Sequence, residues 1–252
     1  MSGEARWAGR NGDKDTLRNE IWDKLEATAV NVGPVWSRIP NFAGADLAAW
    51  NLAHAPEWRS ARIVKCNPDP PQIPVRLRAL YDGKIVYAPV PELTEGFPFV
   101  RLDPEMLRKN GVEFETAAAA QGFLAHGQPV SFEEMEMLDF VVVGCVAVTT
   151  AGGRTGKGGG FADLELGIFR ELGKVKADTP IATTVHSSQV VDDRRLPMMP
   201  HDSALNYIAT ERELIDTRTP YSQPAGVDWG RVQPDQYENI PFLKALRERL
   251  AR

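Results

Sequence analysis

A glycine-rich segment at residues 152–163 contains the residue types of a phosphate-binding loop. Glycines let the backbone approach an anion closely and adopt positive φ angles. Within the segment, Arg154 and Lys157 can donate charge-assisted hydrogen bonds to phosphate oxygens. The free amides at the start of a following helix would attract the same negative charge. The segment therefore predicts a phosphate-bearing ligand, and the alternative is a flexible surface loop.

The segment differs from both common phosphate-binding signatures. No Ser or Thr follows Lys157, which excludes a Walker A loop, and the glycines of residues 156–160 lack the GxGxxG spacing at a helix start. Asp163 lies where the helix would begin and could hold Mg²⁺, which prefers one or two carboxylates together with substrate phosphates. Alternatively, the helix dipole alone favours an acidic residue there.

A second pair of cations precedes this segment by more than a hundred residues. Lys14 and Arg18 lie four apart in a predicted helix over residues 14–29, so both side chains project from one face and can reach one anion. The alternative is a solvated helix face. His186 follows an apolar strand, where ligand sites gather in α/β sheets, but a structural histidine would occupy the same position.

Composition narrows the class of protein. The chain has 252 residues, 43% of them hydrophobic and 25% charged, with a net charge of −5. This charge disfavours broad nucleic-acid binding. Two cysteines and four histidines show no metal-site spacing, and no apolar run approaches a membrane span. We therefore expect a cytoplasmic protein with no nucleic-acid or membrane partner. A small-molecule substrate and a monomeric or homodimeric state are further expectations, which composition does not decide.

Strands alternate with helices, which indicates an α/β fold with three layers (α/β/α) and a mostly parallel, Rossmann-like sheet. The apolar run at residues 138–148 predicts one strand buried on both faces, and a helix is predicted over residues 161–171. Residues 1–13 are expected to be a disordered lead-in, with residues 14–252 forming a single domain.

The segment resembles the ATP-binding loop of 5-formyltetrahydrofolate cyclo-ligases, also called methenyltetrahydrofolate synthetases. That loop has the pattern Arg-x-Gly-x-Gly-x-Gly-aromatic-Tyr-Asp, which is matched here by Arg154, Gly156, Gly158, Gly160, Phe161 and Asp163. The family's Lys-x-x-x-Arg helix motif is matched by Lys14 and Arg18, and further matches are Gln189, His201 and Asp202. The resemblance covers roughly residues 14–215.

A narrower branch, the methenyltetrahydrofolate synthetase domain-containing proteins and their paralogues, is more similar still. Its characteristic motifs occur in order at residues 38–42, 67–69, 156–157, 161–165, 185–186 and 189–192.

The resemblance implies a cyclo-ligase-type fold and the ATP-dependent conversion of 5-formyltetrahydrofolate to 5,10-methenyltetrahydrofolate, with Mg²⁺ as cofactor. It implies ATP contacts from Lys14, Arg18, Arg154, Gly156, Lys157, Gly158, Gly159, Gly160, Phe161, Ala162 and Asp163. Arg154 and Lys157 would be catalytic and Asp163 would bind the metal. Substrate contacts would come from Arg38, Asp69, Phe161 and His186.

Two positions depart from the family pattern. Ala162 stands where authentic cyclo-ligases usually carry a second tyrosine, which is associated with the folate site, and Asp69 lies near the place of the family's folate-side glutamate. Two alternatives therefore stay open. One is a paralogue that uses Mg-ATP on another heterocycle, with a link to thiamin metabolism, and the other is a non-catalytic nucleotide- or folate-binding module.

Overall fold

A computed structural model describes residues 6–90 and 98–250 of the chain. The described residues contain eleven strands, which in chain order are β1 (Ile63–Cys66), β2 (Ile85–Pro89), β3 (Phe99–Leu102), β4 (Gln128–Val130), β5 (Phe140–Val142), β6 (Ala147–Thr149), β7 (Arg154–Thr155), β8 (Ile181–Thr184), β9 (Val190–Val191), β10 (Tyr207–Ala209) and β11 (Leu214–Asp216). Their helices are α1 (Gly12–Ala27), α2 (Ala45–Leu52), α3 (Pro56–Ser60), α4 (Ile73–Tyr81), α5 (Pro104–Lys109), α6 (Phe114–Ala118), α7 (Ala120–His126), α8 (Phe161–Glu171), α9 (Pro234–Asn239) and α10 (Leu243–Leu250).

Eight strands form one sheet in the order β11-β10-β8-β5-β1-β2-β3-β4. The five strands from β10 to β2 run parallel, and antiparallel pairs close both edges. On β5, Phe140 packs into the core with α2 and α4, whereas Val141 packs into the core with α8 and α10. Because successive side chains of a strand point to opposite faces, this pattern places helices on both sides of the sheet. The predicted three-layer, mostly parallel fold is confirmed.

The apolar run at residues 138–148 forms two strands and not the single predicted strand. The main-sheet strand β5 ends at Val142, and β6 begins at Ala147 in a separate sheet of order β7-β6-β9. Gly144 lies between them, and a Cβ there would come within 3.0 Å of Ile39 and of the Asp69 carboxylate. The run is continuously apolar because it passes from one buried sheet into another. The prediction was wrong because burial alone does not show where a strand breaks.

The N-terminal residues pack against the rest of the chain. The first helix, α1, begins at Gly12 rather than at the predicted residue 14, and its cap is Asn11, whose side chain accepts from Lys14 N at 3.1 Å. Trp7 is buried, with its ring 6.0 Å from that of Phe161. Residues 1–5 lie outside the described residues, and the disordered lead-in expected over residues 1–13 stays a prediction.

Other boundaries agree more closely. The helix α8 has the predicted bounds of residues 161–171. Within the described part of the chain, no helix has the length and apolarity needed to span a bilayer. That residues 14–252 form a single domain stays a prediction.

Candidate functional site

A cleft of about 400 Å³ opens where β1, β2 and β5 end. It lies between α1, the start of α8 and a C-terminal segment, residues 226–236. Ligands in open α/β sheets bind at the carboxyl ends of parallel strands, so the location is the expected one. The cleft is lined by every predicted ATP-contacting residue, namely Lys14, Arg18, Arg154, Gly156, Lys157, Gly158, Gly159, Gly160, Phe161, Ala162 and Asp163.

The glycine loop, residues 156–160, has a backbone that other residues would adopt with strain. Gly158 and Gly160 have φ angles of +106° and +73°. A Cβ on Gly159 would lie 2.7 Å from the Phe161 ring. Gly160 caps α8 with no side chain, and so leaves the first amides of that helix without a side-chain partner. The loop thereby offers free N–H groups and the positive end of a helix dipole to the cleft.

Arg154 is fixed at the cleft wall by two contacts. Its Nε donates to the Ser203 carbonyl at 2.7 Å, and its Nη2 pairs with Asp163. Burial lowers the pKa of Arg154, but the charge and hydrogen bond of Asp163, together with nearby Cys145 and Asp202, outweigh that effect and the net shift is upward. The guanidinium therefore stays charged although it is 3% exposed. An oriented, permanent cation is what a phosphate site requires.

Lys14 and Arg18 also turn inward from α1, with exposures of 6% and 5%. Lys14 pairs with Asp202, and Arg18 pairs with Asp15 and donates from Nε to the Gly156 carbonyl at 2.7 Å. Burial lowers the pKa of Arg18, and the Asp15 carboxylate partly opposes this shift. The solvated-face alternative is wrong for these residues, because their side chains reach into the cleft.

Lys157 is the most accessible of the four predicted cations, with its side chain 29% exposed. Its Nζ lies 4.0 Å from Asp69 Oδ1 and 5.3 Å from the centre of the Trp7 ring. These long contacts hold Lys157 less tightly than Arg154 is held. Lys157 can thus move toward a ligand more easily than Arg154 can.

Asp163 could bind Mg²⁺ only as a single carboxylate ligand, with phosphate oxygens as further ligands of the ion. Its Oδ1 accepts from Arg154 and from Ser203 N, the latter at 2.9 Å. Among the described residues there is no cluster of three or more His, Cys, Asp or Glu side chains that could hold a metal ion. Such a donor set suits an ion that is held mainly by phosphate and water.

The four predicted substrate residues divide into two groups. Asp69 and Phe161 line the cleft, whereas Arg38 and His186 are not among its lining residues. Arg38 is exposed, and its carbonyl accepts from Trp22 Nε1 at 3.1 Å. His186 caps a turn by accepting from Ser188 N at 3.1 Å, which is the structural alternative considered for it. The geometry therefore gives no support to substrate contacts from Arg38 or His186.

The C-terminal segment contributes a wall that sequence reasoning missed. Gln236 Nε2 and Arg10 Nη1 each donate to the Gly159 carbonyl at 3.0 Å. Arg10 also pairs with Asp235 at 2.6 Å. These hydrogen bonds, together with the ion pair, connect the C-terminal segment to the glycine loop. No local pattern in the sequence indicates a contact between residues 77 positions apart.

A buried ion pair at the cleft floor was also missed. Lys65 on β1 is fully buried and contacts both Glu165 on α8 and the side-chain oxygen of Asn67. Burial raises the pKa of Glu165, and the charge of Lys65 opposes that shift only in part. A lysine inside an otherwise apolar strand is the signal that could have revealed this pair.

Comparison with known proteins settles the family. Residues 10–211 match the sequence model of the 5-formyltetrahydrofolate cyclo-ligase family. The chain belongs to that family. The family resemblance predicted from the motifs is therefore confirmed, and the cyclo-ligase family is a family of ligase enzymes.

Relatives place the chain near one branch of the cyclo-ligase family. It is 37% identical over 244 residues to the methenyltetrahydrofolate synthase domain-containing protein of Mus musculus, covering 94% of this chain and 63% of the relative. The Homo sapiens protein of that name is 35% identical over 244 residues, with 94% and 62% covered. The chain thus spans less than two thirds of the length of these relatives, and the resemblance to this branch is confirmed.

A solved structure supports the fold. The Aquifex aeolicus 5,10-methenyltetrahydrofolate synthetase superposes with a TM-score of 0.50 at 22% identity, covering 82% of this chain and 95% of that one. The family match ends at residue 211, so the C-terminal segment lies beyond it.

Proposed function

We propose that the protein binds Mg-ATP in the cleft and uses it to convert 5-formyltetrahydrofolate to 5,10-methenyltetrahydrofolate. One observation carries the proposal. Lys14 and Arg18 come from α1 and Arg154 comes from β7, more than a hundred residues later, yet all three are buried around the glycine loop at the start of α8. Each cation is paired with a carboxylate, as a buried charge requires, and all three border an open cleft.

The proposed reaction requires positioning and charge neutralisation rather than a protein nucleophile. ATP would phosphorylate the formyl oxygen, N10 of the folate would attack the activated carbon, and phosphate would leave with that oxygen. Arg154 and Lys157 would neutralise charge on the transferring phosphoryl group. Asp163 would hold Mg²⁺ against the phosphates. The α8 amides and the glycine loop would orient the triphosphate.

A second candidate function is an ATP-dependent reaction on a different, thiamin-related heterocycle. Ala162 and Asp69, the two departures from the family pattern, both line the cleft. Alanine leaves open the space that a tyrosine ring would fill, so a differently shaped substrate could enter.

The cytoplasmic location, the monomeric or homodimeric state and the lack of nucleic-acid or membrane partners stay predictions.

Absorbance of methenyltetrahydrofolate tests the first candidate. Purified protein with 5-formyltetrahydrofolate and Mg-ATP should form the product, and Arg154→Ala should lose it. Arg101→Ala removes an arginine that pairs with Asp103 and does not line the cleft, so it should retain wild-type turnover. If wild-type protein binds ATP but forms no product, the second candidate replaces the first. Unchanged turnover in Arg154→Ala would refute the site assignment.

A further inference from the structure

The Lys65 pair at the cleft floor leaves two polar groups ready for a ligand. Glu165 lines the cleft and is 4% exposed. Apart from its ion pair with Lys65, its carboxylate accepts no hydrogen bond within the described part of the chain. A buried carboxylate normally accepts several hydrogen bonds, so this one lacks N–H donors.

Asn67 lines the cleft beside Glu165 and contacts the same Lys65 ammonium. Its Oδ1 accepts from Lys65 Nζ, which fixes the orientation of the amide. The Nδ2 end is therefore the free one, and it has no acceptor among the described residues. Lys65 thus holds both the Glu165 carboxylate, which can accept a hydrogen bond, and the Asn67 amide, which can donate one.

Apolar side chains surround the Glu165 and Asn67 groups. Ile39, Pro68, Pro89 and Val90 line the same cleft. Gly144 brings the backbone close, because a Cβ there would lie 3.0 Å from both Ile39 and Asp69. Apolar walls with few convergent polar groups are typical of sites for small heterocycles.

We propose that Glu165 and Asn67, held by Lys65, form a subsite that reads the 2-amino-4-oxopyrimidine edge of a heterocyclic substrate. The carboxylate accepts through Oε2, because Oε1 is buried against Lys65, and its donors are the 2-amino group and the neighbouring ring N3–H. Asn67 Nδ2 donates to the 4-oxo oxygen. An adenine edge fits less well, because its ring nitrogen N1 would place a lone pair against the carboxylate. The inference rests on the proposed function in taking a heterocycle as substrate.

Equilibrium binding of two fluorescent ring compounds tests the subsite without catalysis. Pterin carries the 2-amino group, whereas lumazine has a carbonyl oxygen there and an N–H at the neighbouring N1, with the same N3–H and 4-oxo groups. Wild-type protein should bind pterin about tenfold or more tightly than lumazine, since a hydrogen bond to a charged group contributes roughly that factor. Glu165→Gln should lose this preference, because a glutamine amide can donate to the lumazine carbonyl.

A matched control and a second variant keep the test decisive. Glu57→Gln removes a carboxylate outside the cleft that accepts from Tyr207 at 2.7 Å, and it should retain the pterin preference. If Glu165→Gln unfolds, the double variant Lys65→Met with Glu165→Leu replaces the ion pair by apolar side chains and should fold without the preference. A pterin preference that persists in a folded Glu165 variant would overturn the proposal.

Two further outcomes separate this subsite from the proposed function. Weakened ATP binding with unchanged pterin binding in Glu165→Gln would assign the pair to the nucleotide and overturn the subsite, as would wild-type protein that binds neither ring. Wild-type protein that prefers pterin but forms no methenyltetrahydrofolate would support the subsite while refuting the reaction.

Discussion

Arg154 illustrates how much of the site depends on the geometry of one side chain. Its guanidinium contacts Ser203 and Asp163 at once, and a lysine ammonium cannot reproduce that planar arrangement. Arg154→Lys is therefore expected to weaken ATP binding about tenfold or more. Calorimetric titration with Mg-ATP measures this, and Arg101→Lys is the control. Wild-type affinity in Arg154→Lys would show that charge alone is sufficient at this position.

Lys65 makes a separate prediction about stability. Lys65→Met leaves Glu165 buried without its partner, which is expected to lower the free energy of unfolding by about 3–5 kcal/mol. Adding Glu165→Leu removes the buried charge and should recover most of that loss. Urea denaturation of the two variants measures the difference. A single variant as stable as wild type would mean that water reaches Glu165.

Residue types in the sequence indicated the cations of the site but not their partners. Lys14, Arg18 and Arg154 were predicted from local spacing, and all three line the cleft. Arg38 and His186 were predicted from their motifs and from their position along the chain. Neither of these fixes where a side chain points, and the structure places both residues outside the cleft.

At the scale of elements, the glycine loop and the C-terminal segment act as one unit. Gln236 donates to the Gly159 carbonyl at 3.0 Å from a buried position. Gln236→Ala should therefore loosen the loop and weaken ATP binding about fivefold, the effect of one hydrogen bond of roughly 1 kcal/mol. Asn239→Ala removes a neighbouring exposed amide that donates to the Asp235 carbonyl and should have no effect. Equal ATP affinity in both variants would show that the segment merely packs beside the loop.

A helix or strand could be predicted from the sequence where a single local signal determined its bounds. Residues 161–171 begin after glycines and show helical periodicity, and α8 has those bounds. The strand predicted at residues 138–148 failed because both sheets bury its side chains, so the sequence shows no change where β5 ends. The wall formed by residues 226–236 depends on tertiary contacts with α8 and the glycine loop, which local patterns cannot reveal.

For the whole molecule, the cleft joins α1, the end of β1, the glycine loop and the C-terminal segment. A ligand that contacts all four should stabilise the folded chain. Mg-ATP at about a hundred times its dissociation constant contributes about 2.7 kcal/mol, which raises the melting temperature by about 5–10 °C in a chain of this size. Thermal denaturation with and without Mg-ATP measures the shift. The same shift in Arg154→Ala would place the nucleotide elsewhere.

The most direct test of the central claim follows one oxygen atom. 5-Formyltetrahydrofolate labelled with ¹⁸O in its formyl group is incubated with the protein and Mg-ATP, and the released phosphate is analysed by mass spectrometry. Transfer of the phosphoryl group to the formyl oxygen predicts one ¹⁸O in each phosphate for every methenyltetrahydrofolate formed. Unlabelled phosphate would contradict the claim, because it would mean that water attacks ATP and the folate is not activated in this cleft.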